Sequence, residues 1–202
     1  MKKITKLIFG IFLATTFGAI LGSHTVSADE NTAKAQIESR GVDVGGIYHN
    51  RMVSIQSPAN TRNVIDWSMS NINDVIMFNN TNSRNQKWIL IYNNVDRTYQ
   101  IMGGPLSAGG PGGIFRAAYL SAASTGSGFK VDTRWNISSD KWRMYRVNTH
   151  ANGNIVYIQN VSTSLVMETP NGQNNRALIL SPLNGRDGSA NQRYIVHVEG
   201  TV

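Results

Sequence analysis

The sequence contains no cysteine among its 202 residues. A chain without cysteine has no disulfide bonds, no thiol nucleophile and no thiolate ligand for a metal. This absence excludes cysteine-dependent enzymes and zinc sites of the thiolate type. Any stable fold must come from a packed apolar core, and the chain is long enough to form one.

Long hydrophobic runs are almost absent as well, and the one that exists lies at the start of the chain. Residues 7–21 are apolar but are interrupted by threonines and glycines, so the run falls short of the ~20 residues that a membrane-spanning helix needs. Lysines precede it, and small residues at 26–28 follow it before Asp29. This order is typical of a signal peptide over residues 1–28. We expect it to be cleaved, and the mature protein to be secreted, soluble and extracellular, with no membrane insertion.

Acidic residues are few. The chain has 12 Asp and Glu against 19 Lys and Arg, a net charge of +7. Removal of residues 1–28 leaves 16 basic and 12 acidic residues, a net charge of +4. The basic residues are scattered and form no run, so the sequence does not predict a nucleic-acid-binding surface.

Signatures of catalysis are missing too. His49, His150 and His197 have no metal-ligand spacing, and no Gly-x-Ser-x-Gly sequence occurs. The glycine-rich stretch 103–113 lacks the Gly-Lys-Ser/Thr ending of a phosphate-binding loop, so we interpret it as a flexible or partner-contacting loop. We expect no enzyme activity, no cofactor and no metal. A glycosidase whose two carboxylates come together only in space stays open as an alternative.

What the sequence does contain is a motif that occurs three times. A Gln-x-Trp sequence ends at Trp88, and altered copies end at Trp142, with Asp140 in place of Gln, and at Tyr194, in place of Trp. The three aromatic residues are 54 and 52 residues apart, an interval that indicates three structural repeats. We expect each ring to anchor one third of a shared core, and the polar residue two positions earlier to bond nearby backbone.

Short apolar runs alternate with clusters of Asn, Gly, Ser and Thr over the rest of the chain, a pattern typical of short β-strands. The candidate strands are residues 48–55, 63–67, 75–78 and 87–92; 98–102, 116–120, 128–132 and 141–147; and 154–159, 164–168, 177–180 and 192–198. Four strands in each of three like groups predict an all-β fold, a closed barrel capped by hairpins. The polar residues 29–44 predict a leader or linker before it.

The three motif copies, each closing a unit of four short strands, resemble the ricin B-type lectins, in which a Gln-x-Trp motif closes each repeat. Because it lacks cysteine, the sequence is more similar to the haemagglutinin components that accompany some bacterial toxins than to the disulfide-bearing plant lectins. The resemblance implies a β-trefoil of three four-stranded repeats, in one lectin domain that spans residues 45–202.

In that family, a competent repeat binds sugar with an early Asp, an aromatic platform on the next hairpin, and an Asn beside the Gln of the motif. The resemblance gives these roles in the first repeat to Asp66, Phe78, Asn85 and Gln86. The residue types suit a sugar, because an aromatic ring covers its C–H face while a carboxylate and an amide bond its hydroxyls. Other roles also fit the sequence, since Asp and Asn form turns and Phe enters cores. We expect the carboxylate of Asp66 to be exposed.

The other two repeats depart from the family pattern. The second has Ser121 where the Asp is expected, and Trp135 as a candidate platform. The third has Met167 at the acidic position, with Glu168 one residue along, and retains Asn191. Trp135, Glu168 and Asn191 are therefore carbohydrate-binding candidates of second rank.

The resemblance predicts a non-catalytic carbohydrate-binding protein, the cell-surface-binding component of a bacterial toxin or adhesin system. Its partners would be cell-surface glycans and another secreted toxin subunit. The alternative is a trefoil that no longer binds sugar and docks another exported subunit through the loop 103–113 or the leader 29–44. A protease inhibitor is a third hypothesis, which the mobility of a glycine-rich loop disfavours because inhibition depends on a rigid loop.

Overall fold

The computed structural model describes residues 41–71, 73–103, 118–135, 140–172 and 174–202. The predicted signal peptide, residues 29–40 of the predicted leader and residues 104–113 of the glycine-rich loop lie outside the described residues. Within the described ranges, the regular structure consists of β-strands and three short 3₁₀ turns, as the alternation of short apolar runs predicts. The all-β prediction is confirmed.

The described residues form fourteen strands. In chain order they are β1 Val42–Asp43, β2 Arg51–Gln56, β3 Asn63–Trp67, β4 Val75–Asn79, β5 Trp88–Asn93, β6 Thr98–Gly103, β7 Ala118–Ser124, β8 Phe129–Trp135, β9 Trp142–His150, β10 Gly153–Asn160, β11 Val166–Glu168, β12 Arg176–Ala177, β13 Ile179–Ser181 and β14 Tyr194–Thr201. Each of the twelve predicted strands overlaps at least one of them.

Six of these strands close a barrel. β2 pairs with β5, β5 with β6, β6 with β9, β9 with β10, β10 with β14, and β14 returns to β2, always antiparallel. Each third of the chain contributes its first and its last strand to this ring. Closure leaves the barrel strands with no free edge, which protects them because no helix covers an edge within the described residues.

Three hairpins cap one end of the barrel. They are β3–β4, β7–β8 and β11–β13, one from each repeat. The hairpins also contact one another, because β12 pairs with β4, β13 pairs with β8, and Asp74 bridges to Asp132. Each hairpin is therefore flanked by residues of a neighbouring repeat. The pocket described below is lined by residues of two repeats for this reason.

The three motif aromatics lie in the core, as predicted. The side chains of Trp88, Trp142 and Tyr194 are fully buried. The indole Nε1 of Trp88 donates to the carbonyl of Ile65 at 3.1 Å, and that of Trp142 donates to the carbonyl of Leu120 at 3.1 Å. Each indole thus joins the last strand of its repeat to the hairpin of the same repeat and leaves no buried donor unpaired.

The folded part of the chain begins before residue 45. β1 pairs with β9, and the amide of Val44 donates to the carbonyl of Met144 at 3.1 Å. Val44 is also buried against the core. The last four residues of the predicted leader, 41–44, therefore belong to the folded domain.

The predicted strand 177–180 is broken in two at Leu178. The amide of Leu178 donates to the carbonyl of Val75, and its carbonyl accepts from the amide of Val131, both at 2.9 Å. These bonds tie the third hairpin to the hairpins of the other two repeats. The interruption is therefore the point at which the three repeats join.

Candidate functional site

Asp66 and Phe78 lie on one face of the first hairpin. In the β3–β4 register, Asp66 stands opposite Ile76 and Val64 stands opposite Phe78. Side chains of opposite residues, and of residues two apart on a strand, project to the same side of a sheet. The hairpin thus presents a carboxylate and an aromatic ring together, as the sequence predicts.

Gln86 fixes the position of Asp66 from below. It ends the 3₁₀ turn Arg84–Gln86 and is fully buried. Its Nε2 donates to Oδ2 of Asp66 and to the carbonyl of Asn79, both at 2.8 Å, and its Oε1 accepts from the amide of Thr81 at 2.9 Å. Gln86 was predicted as a sugar-binding residue, but it does not line the pocket. It holds the carboxylate and the following loop in place.

Asn85 reaches the same carboxylate from the side. Its Nδ2 donates to Oδ1 of Asp66 at 2.9 Å and to the carbonyl of Trp67 at 3.0 Å, and its Oδ1 accepts from the hydroxyl of Ser83 at 2.6 Å. The orientation of the amide is therefore fixed without a ligand. Each carboxylate oxygen of Asp66 accepts one bond from these amides and keeps further lone-pair capacity for a ligand hydroxyl.

Asp66 is more buried than the sequence suggested. The residue is only 4 % exposed, so the expectation of an exposed carboxylate is wrong. Its position under the hairpin face explains the difference, since Gln86 and Asn85 enclose it. Burial raises the pKa of the Asp66 carboxyl, and the hydrogen bonds from Gln86 and Asn85 offset only part of this rise.

A pocket of about 250 Å³ opens over this carboxylate. It is lined by Asp66, Ser68, Met69, Ser70, Ile76, Phe78, Thr81, Ser83, Asn85 and Asn175. Three of the four first-rank residues, Asp66, Phe78 and Asn85, therefore share one cavity. Phe78 is half-buried, so its ring can support the hairpin and still contact a ligand.

Asn175 is one of the pocket residues that sequence reasoning missed, and it comes from another repeat. It comes from the third repeat, at a positive φ of 61°, and its amide donates to the carbonyl of Met77 at 2.7 Å. The adjacent strand β12 pairs with β4, and this pairing brings Asn175 to the rim. A positive φ favours Asn over most residues, but nothing in the local sequence indicates which hairpin this turn would contact.

The second repeat lacks this combination. Ser121 stands at the place of Asp66 and is fully buried, opposite Asp132. The register puts Arg134, opposite Tyr119, at the place of Phe78, whereas Trp135 is one residue further along and opposite Ala118. The backbone pairing thus does not support Trp135 as the platform. Asp140, at the place of Gln86, accepts a short hydrogen bond from the amide of Ala122.

Replacement of Ser121 by alanine is expected to stabilise the protein. The Oγ of Ser121 is buried and has no hydrogen-bond partner among the described residues, and an unpaired buried hydroxyl costs about 1–3 kcal/mol. We expect a higher melting temperature for Ser121→Ala, by roughly 2–4 °C per kcal/mol for a domain of this size. The matched control is Ser54→Ala, which removes a hydroxyl that donates to Oε1 of Glu199 at 2.6 Å. It should lower the melting temperature, and a fall in both variants would contradict the assignment.

The third repeat has an acid but no aromatic platform. Met167 pairs with Leu180 and is fully buried, so the sequence-based placement of Met167 at the acidic position is wrong by one residue. Glu168 takes that place, because Gln192 donates to its Oε2 at 3.0 Å in the way that Gln86 donates to Asp66. The register puts Ser181 where the first repeat has Phe78.

Asn191 contributes backbone bonds rather than side-chain bonds within the described part of the third repeat. Its carbonyl accepts from the amide of Thr169 at 2.9 Å and from the hydroxyl of Tyr194 at 3.4 Å. The third repeat therefore keeps the framework of the motif without the paired carboxylate and ring of the first.

Two other kinds of site were sought in the described ranges. No group of three His, Asp or Glu residues there is arranged to hold a metal ion. None of the helical segments in those ranges has the length and hydrophobicity to span a membrane.

Comparison of the sequence with protein families found no matching family, and comparison with curated proteins found no match. Comparison of the structure found several similar folds. A ricin B-like lectin from Macrolepiota procera, solved with lactose, has a TM-score of 0.56 and 13% identity, and covers 75% of this chain and 98% of the lectin. A mosquitocidal holotoxin has a TM-score of 0.58 and 22% identity, and covers 76% of this chain but 17% of the toxin. A designed threefold-symmetric protein, ThreeFoil, has a TM-score of 0.52 and 12% identity, and covers 72% of this chain and 97% of the design.

Two of these matches cover nearly the entire length of the compared proteins, 98% of the lectin and 97% of the design, and they agree with the six-stranded barrel and its three capping hairpins. At such low identity they are informative about the fold alone. The chain has the β-trefoil fold of the ricin B-type lectins.

Proposed function

We propose that the protein is a secreted, non-catalytic lectin whose carbohydrate-binding site is the pocket of the first repeat. The observation that carries this proposal is the convergence of a carboxylate, an aromatic ring and a side-chain amide, those of Asp66, Phe78 and Asn85, on one pocket of about 250 Å³. The lactose complex of the Macrolepiota procera lectin supports the same ligand class for a protein of this fold.

The chemistry of the pocket suits a neutral sugar. The ring of Phe78 offers an apolar surface to the C–H face of a pyranose. The free lone pairs of Asp66 accept bonds from ring hydroxyls, and bonds to an ionised carboxylate are about twice as strong as neutral ones. The hydroxyls of Ser68 and Ser70 lie on the same lining and are able to donate or accept.

The amide of Asn175 completes the wall on the side of the third repeat. Its backbone is held by the bond to Met77, so the side chain projects from a fixed point. We propose that this side-chain amide distinguishes between sugars that differ in the hydroxyl group nearest to Asn175. Within the described residues, neither the second nor the third repeat places an aromatic residue at the position of Phe78, so a single site is proposed for the whole molecule.

One shallow site predicts weak binding to a single sugar. Display of several copies would raise the apparent affinity by roughly 10²–10⁴ without new contacts. This property suits a component that attaches a toxin or adhesin to a glycan-rich cell surface. The matching segment of the mosquitocidal holotoxin supports a toxin-associated role, with another secreted subunit as the partner.

The second candidate function is a trefoil scaffold that binds no sugar and docks another exported subunit. The lack of an acid–aromatic pair at the corresponding positions of the described second and third hairpins favours it, because these hairpins do not retain the family's set of sugar-binding residues. The two functions differ in whether the first pocket binds glycan.

A glycan array with the full protein and the variant Phe78→Ala tests the proposal. We expect the wild-type protein to bind a restricted set of neutral glycans and Phe78→Ala to lose that binding, because the apolar platform is removed. The matched control is Phe129→Ala, which truncates another half-buried ring, on the second hairpin and away from the pocket. Its array pattern should be that of the wild type. Absence of any glycan binding by the wild-type protein would favour the scaffold function.

A further inference from the structure

A second pocket lies on the wall of the barrel, on different strands from the sugar pocket. It has a volume of about 330 Å³ and is lined by Asp43, Arg97, Arg143 and Tyr145. Asp43 belongs to β1, Arg143 and Tyr145 belong to β9, and Arg97 lies in the turn between β5 and β6. The first hairpin contributes nothing to it among the described residues.

Arg143 is a half-buried residue without an anionic partner. It is the second residue of barrel strand β9, opposite Gln159, and within the described residues it makes no ion pair and no hydrogen bond. No nitrogen of Arg143 is among the buried polar atoms that lack a partner, so the guanidinium stays accessible to a ligand. The pocket therefore contains a positive charge that no described residue neutralises.

Arg97 adds a second guanidinium at the mouth of the pocket. It has a φ of 56°, a conformation that Gly or Asn adopts at less cost than Arg. Such positions often reflect a functional requirement for the side chain. Its Nη2 lies 3.0 Å from Oδ2 of Asp43, and Oδ1 of Asp43 accepts from the amide of Gly45 at 2.9 Å. Both carboxylate oxygens of Asp43 therefore have a partner, and the carboxylate orients the side chain of Arg97.

Tyr145 supplies an aromatic surface beside the two guanidinium groups. Its ring stacks on that of the buried Tyr157, with centroids 4.9 Å apart and planes inclined by 23°. Stacking on a buried ring fixes the orientation of Tyr145. A rigid aromatic surface next to positive charge fits a ligand that has both an apolar face and an anionic group.

We propose that this pocket binds an acidic sugar through its sulfate or carboxylate group. Two guanidinium groups against one carboxylate leave a net positive charge, and the fork of Arg143 is free to bind an oxyanion with two bonds. The volume exceeds that of a lone sulfate ion, and Tyr145 faces the same space. This site would be independent of the neutral-sugar pocket and would add a second contact to a glycan surface.

Calorimetric titration of the full protein with a heparin-derived sulfated disaccharide tests this site. Arg143→Gln is expected to weaken binding by about tenfold or more, since the variant removes charge-assisted hydrogen bonds to the anion. The matched control is Arg62→Gln, which removes an exposed arginine from the turn before β3. It should change binding by less than about twofold, because exposed charges contribute little. Arg143→Lys keeps the charge without the fork and should weaken binding to an intermediate degree.

Further ligands distinguish binding through a sulfate group from binding through a carboxylate group. An unsulfated disaccharide containing a uronic acid should bind through its carboxylate, whereas its neutral counterpart should not bind at this pocket. Equal losses in Arg143→Gln and Arg62→Gln would show attraction to net charge alone and would overturn the proposal. Binding of inorganic sulfate as strong as that of the sulfated disaccharide would overturn the assignment to a sugar.

Discussion

Trp88→Ala is expected to lower the free energy of unfolding by about 3–5 kcal/mol. The side chain is fully buried, and its indole donates to the carbonyl of Ile65 at 3.1 Å, so truncation leaves both a large cavity and an unpaired carbonyl. This loss is a large share of the ~5–15 kcal/mol that stabilises a typical domain. Urea unfolding followed by tryptophan fluorescence or circular dichroism measures it.

The control for Trp88 separates volume from hydrogen bonding. Trp88→Phe keeps most of the ring in the core but removes the N–H, so we expect a smaller loss than for alanine, with a large part of it from the unpaired carbonyl of Ile65. A loss below about 1.5 kcal/mol for Trp88→Ala would mean that the ring does not anchor the first repeat.

Asp66→Ala is expected to abolish glycan binding and also to destabilise the fold. Removal of the carboxylate takes an acceptor from Gln86 and from Asn85, and each buried donor left unpaired costs about 1–3 kcal/mol. Relief of the buried charge offsets part of this cost. Melting curves and glycan titrations on the same preparation measure both effects. Full glycan binding by Asp66→Ala would remove Asp66 from the site.

Low pH removes the negative charge of Asp66 without removing its side chain. Burial raises the folded-state pKa of Asp66 above its ordinary 3.8, so glycan binding should weaken as the pH falls through that raised value. Because the folded-state pKa is raised, ionisation of Asp66 opposes folding at higher pH, and its protonation does not unfold the protein. The loss of glycan binding that follows protonation of Asp66 should therefore occur in a protein that is still folded.

Glu199 contributes to stability with the opposite pH dependence. Burial acts to raise the pKa of its carboxyl, but the ion pair with Lys87 at 2.8 Å and the bond from Ser54 outweigh this and lower it. A lowered folded-state pKa contributes stability above the unfolded-state pKa, and this contribution is lost as the pH falls through the lowered value. Acid unfolding should accordingly follow groups such as Glu199, whereas the loss of glycan binding follows the protonation of Asp66.

Phe78 separates the binding site from the scaffold better than Asp66 does. Sequence reasoning predicted an exposed carboxylate for Asp66. Its 4 % exposure and its bonds to two amides make it part of the structure as well as of the site. Phe78 is half-buried and makes no comparable hydrogen bonds, so its truncation removes ligand contact with less effect on the fold.

Local sequence predicted the features that depend on one repeat. The alternation in β3 and β4 places Asp66 and Phe78 on one face, and both residues lie within a single hairpin. The aromatic residues of the motif lie where the spacing indicates, because each binds a hairpin of its own repeat. These features need only strand periodicity and short-range pairing, which a sequence displays directly.

Features that depend on contacts between repeats were not predictable from local patterns. Asn175 reaches the sugar pocket because β12 pairs with a strand of another repeat, and Asp43 reaches Arg143 because β1, which precedes the first repeat, pairs with β9. The misplacement of Met167 has a different cause. A shift of one residue in register exchanges the two faces of a strand, and the sequence Val-Met-Glu does not itself show which residue faces the core.

The most direct test of the central claim, a single sugar site in the first repeat, is an amide NMR titration of the isotope-labelled protein with a neutral glycan selected on the array. The account predicts that shifts concentrate on the β3–β4 hairpin, the side-chain amide of Asn85 and the amide of Asn175. Shifts centred on the β7–β8 or β11–β13 hairpin, with the first hairpin unaffected, would contradict it.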